Sequence, residues 1–259
     1  MLPLGNMLWR IGDRLDIDDQ MAWTSNAGFD GAGLHASEGT PGQWRGVDPA
    51  KCSASRREHL RRELSSFCFT EIHAPFAIEL TADTLAEDIE ALAPVLDLAR
   101  DLDASVITVH AGISDEGDDW LPAMSEIDRQ AARAGVAIGL EVTEDFEVIE
   151  AWGLGNVGVT LDVGHMYNEQ PDRSDLGRTI RGLGASLRHL HVHDTDGTVD
   201  HCEIGTGIVD FAEILTTLCE IGYCGGATLE MNPDRCSPAG IERSLMYLRR
   251  LTEQIGADR

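Results

Sequence analysis

Lysine is almost missing from this chain of 259 residues: Lys51, in the loop-like stretch VDPAKCSAS, is the only one. Schiff-base chemistry at a buried lysine therefore has no good candidate. Positive charge of any kind is scarce. Twenty Lys and Arg stand against 45 Asp and Glu, for a formal net charge of -25. A polyanion of this kind repels nucleic acid, whose capture relies on Lys and Arg. An acid-rich, lysine-poor surface fits a halophilic source, and in molar salt, where the Debye length falls to about 3 Å, the charge argument against a nucleic-acid substrate weakens. Long hydrophobic runs are also missing, and none approaches the roughly 20 residues of a membrane span. The start, MLPLGNMLWRIGDRLDIDD, lacks the basic opening and small-residue cleavage site of a signal peptide, so a cytoplasmic location is the expectation. The six cysteines include no C-x-x-C pair and read as free thiols in a reducing compartment, against a disulfide framework or zinc clamp. Cys202 stands beside His201 but acquires no role from that.

What is present is alternation. Short β-branched runs at 31–37, 67–74, 105–112, 136–143, 157–165, 187–194 and 225–232, with a weaker one at 6–12, are separated by amphipathic stretches. Helices are predicted at 17–27, 53–65, 83–102, 119–134, 144–152, 174–184, 209–221 and 238–255. Thr81 and Asp83 are plausible caps for the third helix. Ser237-Pro238 reads as a cap followed by proline in the first turn, and GLGASLRH and IGYCGGATL end helices on glycine. Strands alternating with helices of this length imply βαβ units and a parallel sheet. With no linker or composition break, residues 1–259 are expected to form a single (β/α)8 TIM barrel. A doubly wound open sheet, the alternative, would want a glycine-rich turn after its first strand, and none is present.

The strands share a register. Aligned on a polar residue near their C-terminal ends, they present His73, His110, Glu141, Asp162, His191 and Glu230. One residue earlier stand Ile72, Val109, Leu140, Leu161, Leu190 and Leu229; two earlier stand Glu71, Thr108, Gly139, Thr160, His189 and Thr228. Successive strand residues face opposite ways. The aliphatic set is therefore expected against the helices, and the polar set inside, at the C-terminal mouth where barrel enzymes keep their chemistry. Six inward ionisable groups are too many to bury unpaired. A divalent cation is the simplest counter-charge, and carboxylate with imidazole suits Mn, Zn, Co or Mg with an open position. His193 rivals His191 as a ligand, since Val192 before it is aliphatic too. His189 is expected one layer below, as a core hydrogen-bonding group. His35 ends the second strand and is assigned to the pocket, His59 to solvent. Trp44 and Trp120 are placed in loops over the mouth, where they either wall a sugar pocket or pack. GTG at 205–207 reads as a phosphate-binding turn or a plain tight turn.

EIHAPF, ITVHAG, GLEVTED, TLDVGH, HLHVHD, HCEIGTGIVDF and TLEMN, in that order, resemble the xylose-isomerase-like TIM barrels, from about residue 70 to 235; NAGFDGAGL matches loosely before them. That superfamily contains ketose 3-epimerases, hydroxypyruvate isomerases, inosose dehydratases and endonuclease IV. The resemblance implies that Glu141, Asp162, His191 and Glu230 are the ligands of one divalent metal ion. Glu141 and Glu230 would double as the acid/base pair of a sugar isomerase or epimerase working through a metal-held enediolate. The H-x-x-D pattern selects His191 over His193. The resemblance makes His165 a contact for a substrate hydroxyl; Asp162 capping a turn and His165 as a loop histidine are the plain alternatives. Arg235, after the last strand, would hold a substrate oxygen or lie on the surface. In endonuclease IV, residues matching His73, His110, His165 and His201 complete a three-metal zinc cluster for phosphodiester hydrolysis. All four are present, but Val199 stands where that cluster has Asp, and Asp200 is one step away, on the opposite strand face if the chain there is extended. Many sugar-acting members keep such histidines as hydroxyl-binding or outer-sphere groups. The expectation is therefore a metal-dependent isomerase or epimerase with a small-molecule sugar substrate, no membrane and no nucleic acid as partner, and a homo-oligomer compatible with the helix ring. A metal-dependent phosphodiesterase, a sugar dehydratase or lyase, and a barrel that binds a sugar without turnover are the alternatives.

Overall fold

The predicted alternation closes on itself. The computed structural model describes residues 2–113, 120–169 and 176–257. Its barrel strands are β1 (Leu4–Leu8), β2 (Gly31–His35), β5 (Phe69–His73), β6 (Val106–His110), β7 (Ala137–Glu141), β8 (Val157–Asp162), β9 (Leu187–Val192) and β10 (Ala227–Leu229), and a hairpin, β3 (Gly39–Thr40) and β4 (Trp44–Arg45), follows β2. The barrel order is β1-β10-β9-β8-β7-β6-β5-β2, every pair parallel. Around it run α1 (Ile17–Ala27), α2 (Ala54–Leu64), α3 (Leu85–Asp101), α4 (Trp120–Ala134), α5 (Phe146–Trp152), α6 (Val163–Glu169), α7 (Leu176–Leu183), α8 (Phe211–Glu220) and α9 (Pro238–Ala257). The expected (β/α)8 barrel is the fold. Residue 119 and residues 174–175, predicted to open the fourth and sixth helices, lie outside the described residues.

The period of two sorts the strands as expected. Ile72, Val109, Leu140, Leu161, Leu190 and Leu229 are wholly buried against the helices. The opposite face fills the barrel in layers. Phe69 occupies the floor, and a Cβ on Gly31 would fall 2.2 Å from its ring, so only glycine leaves room there. Above it sit Glu71, Thr108, Thr160, His189 and Thr228, all buried. At the top, the register sets His35 beside His73, His110 beside Glu141, and Asp162 beside His191.

Local chemistry sets the helix ends. The Asp16 carboxylate accepts the N–H groups of Asp18 and Asp19 at the start of α1, and Gly28 ends it at φ 90°. Ser237 Oγ accepts the Gly240 N–H (3.2 Å), capping α9 as expected, with Pro238 first in the helix.

Several expectations are corrected. The first strand is Leu4–Leu8 rather than 6–12, because the chain beyond Leu8 leaves the sheet for a tight turn closed by mutual Ile11 and Arg14 backbone bonds. Neither Thr81 nor Asp83 caps α3. Thr84 occupies the cap position, and its hydroxyl is drawn to the Asp88 carboxylate (2.6 Å) instead of a helix N–H. Trp120 is not in a loop over the mouth; it opens α4 and packs in the core, 4% exposed. The strand predicted through His165 stops at Asp162, where the chain turns directly into α6. His59 is only half exposed, with Nε2 3.2 Å from Asp18.

Candidate metal centre

Strands β7, β8, β9 and β10 and the loop edges around them bring the polar layer together at the C-terminal mouth. His191 is its hub. Its Nδ1 lies 3.1 Å from Glu230 Oε2, 3.4 Å from Glu141 Oε2 and 4.0 Å from Asp162 Oδ2. His191 and Asp162 are fully buried, and Glu230 and Glu141 nearly so. Around Glu141 stand three more imidazoles. His73 Nε2 and His110 Nε2 are each 3.5 Å from Oε2, and His165 Nδ1 is 3.4 Å from Oε1. On the far side, His201 Nδ1 donates to the Glu230 carbonyl (2.7 Å).

His191 and His193 differ in what their nitrogens already do. His193 Nε2 meets Asp162 Oδ1 at 2.9 Å, and its Nδ1 accepts the His201 N–H at 2.9 Å. Both are spent. His191 Nδ1 and Glu141 Oε2 are buried yet lack hydrogen-bond partners among the described residues. Two buried orphan atoms facing one another, with two further carboxylates converging, suit a divalent cation, whose preferred donors are this mixture of oxygen and imidazole nitrogen. Ligand atoms of Glu141, Asp162 and His191 fall within 4.8 Å of one another, as do those of His73, His191 and Glu230. Asp162 also plays the plainer part foreseen for it: Oδ1 accepts the His165 N–H (2.8 Å) and caps the first turn of α6.

The electrostatics follow from crowding opposite charges out of water. Burial alone would push the titration of the Glu141 carboxyl upward, yet His191, His165 and His73 hold it well below the usual carboxylate range. Glu230 is likewise lowered against its burial by His191 and His201, and Asp162 by His193 and His165. Burial opposes protonation of His165, but Asp162 and Glu141 lift it to about 10. His35 goes the other way: burial and the His73 ring push it down to about 3.

Not every candidate is equally placed. His35 is in the pocket wall, stacked on Trp9 (5.3 Å between ring centres) and packed against Trp44 and Phe76 at 5.1 Å. Trp44 is therefore at the mouth, on the hairpin. Arg235 Nη1 is held by the Asp200 carbonyl and carboxylate, both at 2.8 Å, so it braces the loop that carries His201. Asp200 is not turned away, because the backbone there is not extended: His201 adopts φ 51°, and Asp200 Oδ2 lies 3.7 Å from His165 Nε2. The GTG turn holds an internal anion, with Gly205 and Gly207 donating their N–H groups to Asp194 Oδ2 at 2.9 and 2.8 Å. Its donors are not open to a phosphate. Glu71 is the residue whose weight the sequence reading missed. It contacts both His189 and His191 from beneath, and its place two residues before His73, on the same strand face, was the available signal. A separate cavity of about 530 Å³ between α8 and α9, at the opposite end, is lined mostly by apolar side chains such as Leu2, Leu215 and Leu218.

Comparison with known proteins agrees with this architecture. Residues 21–251 match the model of the xylose isomerase-like TIM barrel family. An uncharacterized protein of Methanocaldococcus jannaschii is 28% identical over 211 residues, 71% of this chain and 71% of its own. An L-ribulose 3-epimerase of Mesorhizobium japonicum is 28% identical over 167 residues, 56% of this chain and 54% of its own length. Among solved structures, a xylose isomerase domain protein from Planctomyces limnophilus superposes with a TM-score of 0.77 at 19% identity, covering 99% of this chain and 98% of that one. A D-tagatose 3-epimerase-like protein gives 0.74 at 21%, covering 100% and 99%. With its closed parallel barrel and a family match spanning residues 21–251, the chain belongs to the xylose isomerase-like TIM barrel family.

Proposed function

We propose that the protein is a divalent-metal-dependent ketose epimerase or isomerase, with Glu141, Asp162, His191 and Glu230 as the cation's ligands and Glu141 and Glu230 as its acid/base pair. One observation carries the reading: a buried imidazole nitrogen with three carboxylates converging on it from neighbouring strand ends. The likeness to an L-ribulose 3-epimerase and a D-tagatose 3-epimerase-like protein supports epimerisation of a free ketose.

A cation held there would polarise a carbonyl and the neighbouring hydroxyl oxygen, acidifying the C–H bond between or beside them. The chain supplies the proton handling. Glu141 and Glu230 reach the same imidazole nitrogen from strands three places apart in the barrel, so they flank whatever lies between them. One takes the carbon-bound proton; the other returns one on the opposite face, which inverts the centre. Both carboxylates are held low in the resting site, so the one that returns a proton must first take it up from solvent as substrate enters. It ends the turnover ionised while its partner ends protonated, and exchange with water resets the pair. His165 and His110, each partly open to the mouth, are placed to hold hydroxyls, and Trp44 with Phe76 covers one side of the opening.

The test is a panel of D-tagatose, D-psicose, D-fructose and L-ribulose in deuterated water, with Mn, Co, Mg or Zn. Epimerisation with deuterium entering beside the carbonyl is expected, and Glu141→Gln or Glu230→Gln should each lower the rate by about 10²–10⁴-fold. Turnover that survives both changes removes the pair.

The grouping of His73, His110 and Glu141, and that of His165, His193 and His201, favour a second reading as a multi-zinc phosphodiesterase. Two or three Zn per chain and cleavage of abasic-site DNA in high salt would support it. About one Mn, Co or Mg supports the first. The commitment of both His193 nitrogens weighs against a third metal.

A further inference from the structure

Beneath the mouth lies a buried carboxylate that the acid/base chemistry does not use. Glu71 is fully buried on β5, in the layer below His73. Its Oε1 lies 2.6 Å from His191 Nε2 and accepts the Thr108 hydroxyl at 2.7 Å. Its Oε2 is 3.0 Å from His189 Nε2, which also stands 2.8 Å from the Thr228 hydroxyl. Thr108 has one proton and gives it to Glu71, so the 3.0 Å contact between Thr108 and Thr160 must be a bond donated by Thr160. The Thr108 hydroxyl and the two imidazoles of β9 thus face one carboxylate, and Thr160 on β8 orients the Thr108 hydroxyl from behind.

We propose that Glu71 is a positioning residue that fixes the tautomer and ring orientation of His191. An ionised carboxylate only accepts hydrogen bonds, so the nitrogen 2.6 Å away must carry the proton. In the neutral ring the lone pair is then on Nδ1, the atom that faces Glu141, Asp162 and Glu230. A histidine that ligates a metal usually donates its other N–H to a carboxylate or carbonyl, which locks the ring and raises its basicity as a ligand. Glu71 meets that requirement from below, and because it holds His189 and Thr108 as well, it cannot swing away from His191 without abandoning buried donors. The inference rests on the reading of His191 as a cation ligand, and it adds a residue that the ligand quartet does not contain.

The first test needs no variant. In protein carrying ¹⁵N-labelled histidine and loaded with Zn²⁺, His191 should show a slowly exchanging, far-downfield Nε2–H and a metal-bound Nδ1. The second is calorimetric titration of Mn²⁺ into metal-free Glu71→Gln, with circular dichroism to verify the fold. Affinity should fall by about 10- to 100-fold, and the downfield proton of the zinc-loaded form should vanish. A wild-type ring protonated on Nδ1, or a folded Glu71→Gln protein that binds Mn²⁺ within about twofold of wild type, overturns the proposal. If the variant does not fold, the wild-type resonance decides alone. Metal binding without ketose turnover would remove the epimerase reading and leave this one standing; failure of the wild type to bind Mn²⁺ or Zn²⁺ removes both.

Discussion

His191 shows how much a single residue's meaning depends on which atoms around it are already satisfied. His189, His191 and His193 stand on one strand face by sequence. Only their partners separate a core hydrogen-bonding group, a candidate ligand and a spent ring. Neighbouring small residues matter for the same reason. A Cβ on Gly139 would lie 2.0 Å from Thr160 Oγ1 and 3.1 Å from its backbone nitrogen. Gly139→Ala is therefore expected to cost about 1–3 kcal/mol by overpacking, and to displace the hydroxyl that donates to Thr108. Thermal melts of Gly139→Ala, Thr160→Ala and the double variant check this: removing Oγ1 should recover part of the loss. Full additivity would place the strain elsewhere. The inward aim of Glu141, Asp162 and Glu230 was legible at this scale, because an aliphatic residue precedes each and alternation assigns the faces. Glu71 obeyed the same alternation, but its importance was not, since a carboxylate's role in a core is set by donors on β6 and β9.

Among the elements, the loop after β9 carries the most unexpected construction. Asp194 is buried, and its carboxylate accepts the N–H groups of Thr195 (2.9 Å), Gly205 (2.9 Å), Gly207 (2.8 Å) and Val209 (3.1 Å). One side chain thereby folds the whole segment that places His193 and His201. Asp194→Asn removes the charge and turns an amide donor toward backbone donors. We expect a loss of about 3 kcal/mol, seen as a melting point about 6–12 °C lower; a shift within a degree would mean that the loop is held by other contacts. The sequence announced a Gly-x-Gly turn here but not its occupant, because Asp194 lies eleven residues before Gly205. The boundaries of α1 and α9 were readable because their caps are local. The hairpin at β3 and β4 was not, since it is short and is selected by a tertiary contact, Trp44 against His35. For α6 the local cap by Asp162 was legible, but the apolar pattern read as a strand running on through His165.

For the molecule as a whole, two measurements follow from charge. With a net charge of -25 and many ion pairs on exposed side chains, self-repulsion opposes the compact state at low ionic strength. Raising NaCl from 0.1 to 1 M shortens the Debye length from about 10 to about 3 Å, so the melting temperature should rise by several degrees. A flat or falling curve would show that the acidic surface is not a burden to be screened. The converging carboxylates make the analogous local case. Mn²⁺ at about a hundred times its dissociation constant should add about 2.7 kcal/mol and raise the melting point by about 5–10 °C. Chelation should reverse that, and Glu141→Gln should blunt it. No change on chelating metal from freshly purified, metal-analysed protein would argue against a resident cation.

By itself the sequence determined the alternation of strands and helices, the closed parallel barrel it leads to, and the inner and outer face of each strand. All three follow from periodicity and from where apolar residues must go. It also carried the excess of acidic over basic residues, which is fixed by composition alone. Only the tertiary structure decided which histidine keeps a free nitrogen, that Asp194 occupies the glycine turn, and that Glu71 stands under His191. Those are questions of which distant atoms reach hydrogen-bonding distance, and closure of the barrel is what sets those distances.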